Sequence, residues 1–181
     1  MRALILGATL AMVATPAFAE FTLSSTDVKS GSPMASAQVL DRCNGQNISP
    51  ALTWAGEPAG TQSFALTMVD TDARNGKGWW HWSVFNIPAS VHALAAGAAS
   101  EGSKDLPAGA IQGRTDCGFS HYDGPCPPVG DHAHHYEITV YALKVPSLPL
   151  DETASGAQVG SSLVANTLAT AKIVGRYGRS K

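Results

Sequence analysis

Charge is scarce in this chain. Asp, Glu, Lys and Arg make up only 14% of its 181 residues, and the formal net charge is −2. A general nucleic-acid binder needs a basic face, and none is available from this composition. No run of like charges marks an anionic membrane surface as a main partner either. Cysteine is also sparse, with Cys43, Cys117 and Cys126 alone. No Cys-x-x-Cys pair offers a zinc framework. A Gly-x-Ser-x-Gly nucleophile elbow is missing. Repeats, linkers and low-complexity tracts are absent, so nothing divides the chain.

What is present begins with an N-terminal export pattern. Arg2 precedes an apolar run from Ala3 to Ala14, followed by Pro16 and Ala17-Phe18-Ala19. A basic start, a short apolar core and an Ala-x-Ala end predict a secretory signal peptide, residues 1–19, cut after Ala19. The run falls short of the roughly 20 residues that a membrane-spanning helix takes. Removal leaves a single domain, residues 20–181, with 11 basic and 14 acidic side chains. A periplasmic or secreted location follows, where thiols tend to oxidise. Three cysteines allow one internal disulfide, and spacing alone does not choose it.

The rest of the chain reads as β-rich. Phe64–Val69 is apolar on both faces, as a buried central strand would be. His81–Ile87 is a second strand, ended by Pro88, and Tyr136–Leu143 is a third, dense in β-branched and aromatic residues. Gly- and Pro-containing loops separate them. Thr153–Val174 carries an approximate helical stripe, with Thr153 or Ser155 placed to cap it. Strands first and a helix last predict an α+β, mainly β domain: an antiparallel sheet with helical cover.

Polar clusters sit at the strand ends. Asp70-Thr71-Asp72 follows the central strand; paired carboxylates suit acid–base work, ligand contacts or plain turn chemistry. His81 lies among Trp79, Trp80 and Trp82, where burial favours a neutral imidazole. Arg114, beside Asp116, reads as one half of a structural ion pair. His132, His134 and His135 follow the proline-fixed loop Gly124–Gly130, but their spacing does not match a strong metal motif. In a strand, His134 and Tyr136 share one face and His135 takes the other. An imidazole N–H and a phenol O–H both suit an oxyanion.

Together these segments resemble the phosphatidylethanolamine-binding protein (PEBP) family, in its bacterial YbhB/YbcL, or Raf kinase inhibitor-like, branch. The resemblance rests on Asp70-Thr71-Asp72-Ala73, Gly78-Trp79-Trp80-His81-Trp82 with Asn86, Gly124–Gly130 and His134-His135-Tyr136. Asn47-Ile48-Ser49-Pro50 with Trp54, and Ala154-Ser155-Gly156-Ala157, extend it to nearly the whole mature chain. It implies a β-sandwich with a large central antiparallel sheet and a small anion pocket. The ligand-binding positions it implies are Asp70, Asp72, His81, Gly124, Pro125, His134 and Tyr136. It also implies a Cys43–Cys126 disulfide, with Cys117 free. The chain departs from the family pattern where Thr71 and Arg74 replace prolines and His135 replaces an arginine.

The resulting expectation is a binding module without cofactor or metal. Its partner would be a small phosphate-like or phosphoethanolamine-like anion, or a protein of kinase or protease type by family analogy. Oligomeric state stays open, a homodimer included. The alternative is a hydrolase of a small phosphorylated or acylated substrate, with Asp70 or Asp72 as base and His81 with His134 stabilising an oxyanion.

Overall fold

The computed structural model describes residues 20–181. The expected signal peptide lies outside the described residues. Among them, no helix is long and apolar enough to cross a membrane.

Eight strands form two antiparallel sheets. The smaller contains β1 (Thr22–Ser24), β2 (Leu52–Ala55) and β5 (Ala93–Leu94), in the order β1-β2-β5. The larger contains β3 (Ser63–Asp70), β4 (Trp79–Pro88), β6 (Ile111–Gln112), β7 (His134–Leu143) and β8 (Thr167–Tyr177), ordered β6-β4-β3-β7-β8. One helical turn, α1 (Ala73–Gly76), joins β3 to β4, and one longer helix, α2 (Gly156–Asn166), precedes β8.

Strand periodicity explains the layering. Phe64, Leu66 and Met68 project from one face of β3 and join Trp82, Val84, Ile138 and Val140. These pack against Leu23, Leu52 and Trp54 of the small sheet. Ala65 projects from the other face and joins Phe85, Leu143, Val159 and Leu163, the last two from α2. A fully buried large apolar side chain contributes about 1.5–3 kcal/mol. Because β3 is covered on both faces, it holds the centre of the sheet, as its doubly apolar run implies. The sandwich and its central antiparallel sheet therefore match the sequence reading.

The C-terminal segment corrects that reading. The helix stops at Asn166, and Thr167–Tyr177 is a strand paired with β7 from Leu143↔Thr167 to His134↔Tyr177. Ala-rich composition suggests a helix, but burial from Thr167 onward alternates with period two. The free edge of β7 needed a hydrogen-bonding partner, and pairing overrode the weak local preference. The start of the helix lies where expected: Ser155 is its N-cap, in a reciprocal capping box with Gln158.

Arg114 is the second correction. Among the described residues it makes no ion pair; its N–H donates to the Ala154 carbonyl at 2.7 Å and its side chain is exposed. Asp116 pairs instead with Arg74, at 3.3 Å. A backbone bridge to Ser155 fixes Arg114 beside the start of α2.

Candidate functional site

A cavity of about 640 Å³ opens where the C-terminal end of β3 and the N-terminal ends of β4 and β7 meet. Antiparallel pairing brings them together: Asp70 lies opposite both Trp79 and Tyr136. Asp70, Asp72, His81, Gly124, His134 and Tyr136 all line the cavity. Pro125 does not: it is buried behind the wall, and its carbonyl accepts the Leu40 N–H at 3.2 Å. Cys126, Pro127 and Pro128 of the same loop line the cavity in its place.

Asp70 is buried and fully engaged. One oxygen, Oδ1, accepts the N–H groups of Asp72 and Ala73 at 2.9 and 3.1 Å and closes the turn after β3. The other, Oδ2, lies 2.7 Å from His134 Nδ1. Turn chemistry and site chemistry, alternatives in the sequence, thus occupy different oxygens of one carboxylate. Asp72 lines the cavity beside β7: its Oδ2 accepts the His135 backbone N–H at 2.7 Å and meets His135 Nδ1 at 2.9 Å, while Oδ1 lies 3.3 Å from His132 Nε2. Burial opposes ionisation of Asp72. The His135 backbone and side chain, with His132, outweigh it and hold the carboxyl down at about 2.

The two facing imidazoles are held in matching ways. His81 Nδ1 lies 2.7 Å from the Asp123 carbonyl oxygen. A carbonyl only accepts, so Nδ1 carries the proton and Nε2 is left on the cavity side. Burial pushes the His81 imidazole below its ordinary range, against the Asp123 contact and the nearby carboxylates of Asp123, Asp70 and Asp116. His134 directs Nδ1 to Asp70, and its Nε2 lies 3.6 Å from Asp131 Oδ2. Tyr136 stacks edge-on against His81, with ring centroids 5.2 Å apart. Its hydroxyl is fully buried and has no hydrogen-bond partner among the described residues. Burial and the neighbouring Asp70 carboxylate push the phenol up, so it stays a donor.

Arg42, Asp123 and Asp131 belong to the cavity wall and were not singled out from sequence; Trp79 and Cys117, named there as a neighbour of His81 and as a free thiol, join them. Arg42 reaches it because Cys43 and Cys126 are joined by a disulfide, Cα to Cα 5.8 Å, which draws the Asp41–Cys43 turn to the Pro127 loop. Arg42 Nη2 contacts Cys117 Sγ at 3.7 Å, and burial pushes that free thiol up. The signal available for Arg42 was its place beside Cys43. Arg74, the residue standing for a family proline, covers the Trp79 ring at 4.2 Å.

Other motif residues prove to be supports. Asn47 Oδ1 accepts the Gly124 N–H at 2.8 Å and its Nδ2 donates to the Tyr122 carbonyl at 3.3 Å. Gly124 admits no side chain, since a Cβ would collide with the Gln38 carbonyl and lie 2.7 Å from Leu40 N. Asn86 lies away from the cavity and holds the Leu148 backbone through both ends of its amide.

The sequence profile described as "Phosphatidylethanolamine-binding protein" matches residues 24–178. The chain belongs to this family. It is 46% identical to UPF0098 protein YbcL of Escherichia coli K12, over 98% of both chains. It is 43% identical to YbhB of the same organism, over 86% of this chain and 98% of that protein. The crystal structure of E. coli YbcL, described as a new member of the mammalian PEBP family, superposes with a TM-score of 0.85 at 48% identity. That overlap covers 88% of this chain and 99% of YbcL. The YbhB/YbcL branch implied by the motifs is therefore the branch to which this PEBP-family chain is similar.

Proposed function

We propose that this PEBP-family protein is an exported binding module whose cavity holds a small oxyanion. The ligand class is phosphate or a phosphoethanolamine-like head, or an acidic group presented by a partner protein whose activity it would modulate. One observation carries this reading: Tyr136 belongs to the cavity wall, and its buried hydroxyl has no hydrogen-bond partner among the described residues. A buried donor left unmade is costly, and a ligand acceptor would satisfy it. Asp70, Asp72, His81, Gly124, His134 and Tyr136 are the proposed contact and positioning residues, with Pro125 supporting the loop. Export, with residues 20–181 as the mature domain, is supported by the N-terminal pattern and by the Cys43–Cys126 disulfide.

The hydrolase alternative fares less well. Asp70 has both oxygens committed, and Asp72 faces His132 and His135, so neither carboxylate is free to serve as a base inside the cavity. Phosphate titration followed through the histidine ring signals tests the binding reading. His81 and His134 should move on addition of phosphate; ring signals that stay in place would sink it.

A further inference from the structure

The cavity has an electrostatic conflict with an anion. Four carboxylates line it, Asp70, Asp72, Asp123 and Asp131, against two guanidinium groups, Arg42 and Arg74. Arg74 is already paired with Asp116. Among the described residues, Asp123 Oδ2 is buried without a hydrogen-bond partner, which adds an uncompensated acceptor beside the site. With neutral histidines the wall repels a second negative charge.

The histidine tautomers sharpen the conflict. His81 spends its Nδ1 proton on the Asp123 carbonyl, and His134 directs Nδ1 to Asp70. In its neutral form His81 therefore offers the cavity an Nε2 lone pair, and a neutral His134 turns its Nε2 lone pair toward the Asp131 carboxylate at 3.6 Å. A lone pair repels an ionised oxygen. Of these three side chains, only Tyr136 keeps a donor with no partner among the described residues.

We infer that the cavity takes its oxyanion together with a proton, placed between an Nε2 of the His81–His134 pair and a ligand oxygen. This rests on the oxyanion reading above and adds a chemical selection to it. A ligand that carries a proton on an oxygen, such as a phosphomonoester monoanion, binds as it stands, its O–H donating to Nε2. A fully ionised oxyanion binds only as an imidazole takes a proton from solvent, turning Nε2 into an N–H donor and offsetting one carboxylate.

The groups facing each ring support this. His81, on β4, meets the Tyr136 ring from β7, Asp70 from β3, and Asp116 and Asp123 from the loop before Gly124. Arg42, Arg74 and Cys117 complete that side of the cavity. His134, on β7, meets Asp70 from β3, Asp131 from the preceding loop, and the His132 ring at 5.2 Å. Carboxylates dominate both surroundings, so a charged imidazole has partners once an anion also faces it. Burial keeps His81 neutral until then.

Sulfate is the deciding probe, because it is fully ionised and cannot bring the proton. The mature protein would be titrated with sulfate calorimetrically, in buffers of different ionisation enthalpy, between pH 5.5 and 8. About one proton should be taken up per sulfate bound near neutrality, and affinity should fall about tenfold per pH unit on the alkaline side. Nitrogen NMR of the histidine rings should show at least one Nε2, of His81 or His134, gaining a proton on binding. Sulfate binding with no proton uptake and a flat pH profile would overturn this inference while leaving the oxyanion reading in place. Uptake without a change at either ring would overturn it too, by placing the proton elsewhere. Failure of both sulfate and inorganic phosphate to bind at any pH would remove the oxyanion reading itself.

Discussion

Tyr136 buries a hydroxyl that no group among the described residues satisfies, and Asp70 buries a carboxylate whose two oxygens are both used. These neighbours should respond oppositely to substitution. Tyr136→Phe removes an unpaired donor, so thermal melting should be unchanged or slightly higher. Phosphate affinity should fall by about tenfold or more, since a hydrogen bond to a charged group is worth about 1.5–3 kcal/mol. Asp70→Asn should instead lower stability measured by denaturant, because the amide cannot serve the turn and His134 equally. Asp72 makes a pH-dependent contribution. Its carboxyl is depressed from 3.8 to about 2. Its stabilisation is complete above the unfolded value and is lost as pH falls through the folded one. The stability gap between the protein and Asp72→Asn should thus be constant above 3.8 and close as pH falls towards 2, read by urea melts across that range.

At the scale of elements, α2 is short, and only Gly156, Val159 and Leu163 among its residues are buried. Helices of this length are marginal alone, so the reciprocal Ser155–Gln158 cap matters. Ser155→Ala should cost about 1 kcal/mol in a chemical melt, leaving the cavity's ligand affinity unchanged. The strands that carry the site were legible because their apolar runs are long and their faces distinct. Phe64–Val69 and Tyr136–Leu143 lie inside β3 and β7, and His134 sits on the Tyr136 face as the alternation requires. The segment after Asn166 was not legible. Its alanines fit a helix locally, and only the waiting edge of β7 makes it a strand.

Across the whole molecule, the Cys43–Cys126 disulfide closes a separation of 83 residues. A link of that span stabilises by about 4.5 kcal/mol in the chain-entropy account. The double variant Cys43→Ala/Cys126→Ala should melt correspondingly earlier. It should also bind phosphate more weakly, because the link holds Arg42 and Pro127 in the cavity wall. Calorimetry at a temperature where the variant remains folded separates the two effects.

The sequence alone determined the β-rich class, the central strand, two candidate helix caps of which Ser155 is one, and the polar clusters at the strand ends. Those follow from local rules: side-chain alternation, capping and turn preferences act over a few residues. Only the tertiary structure decided that Asn166 ends the helix, that Arg114 is exposed and that Arg42 and Asp123 join the wall. It also decided which nitrogen of His81 and His134 faces inward. Each of these depends on a partner brought from 40 or more residues away or on a sheet edge left open, and no local preference encodes such a meeting.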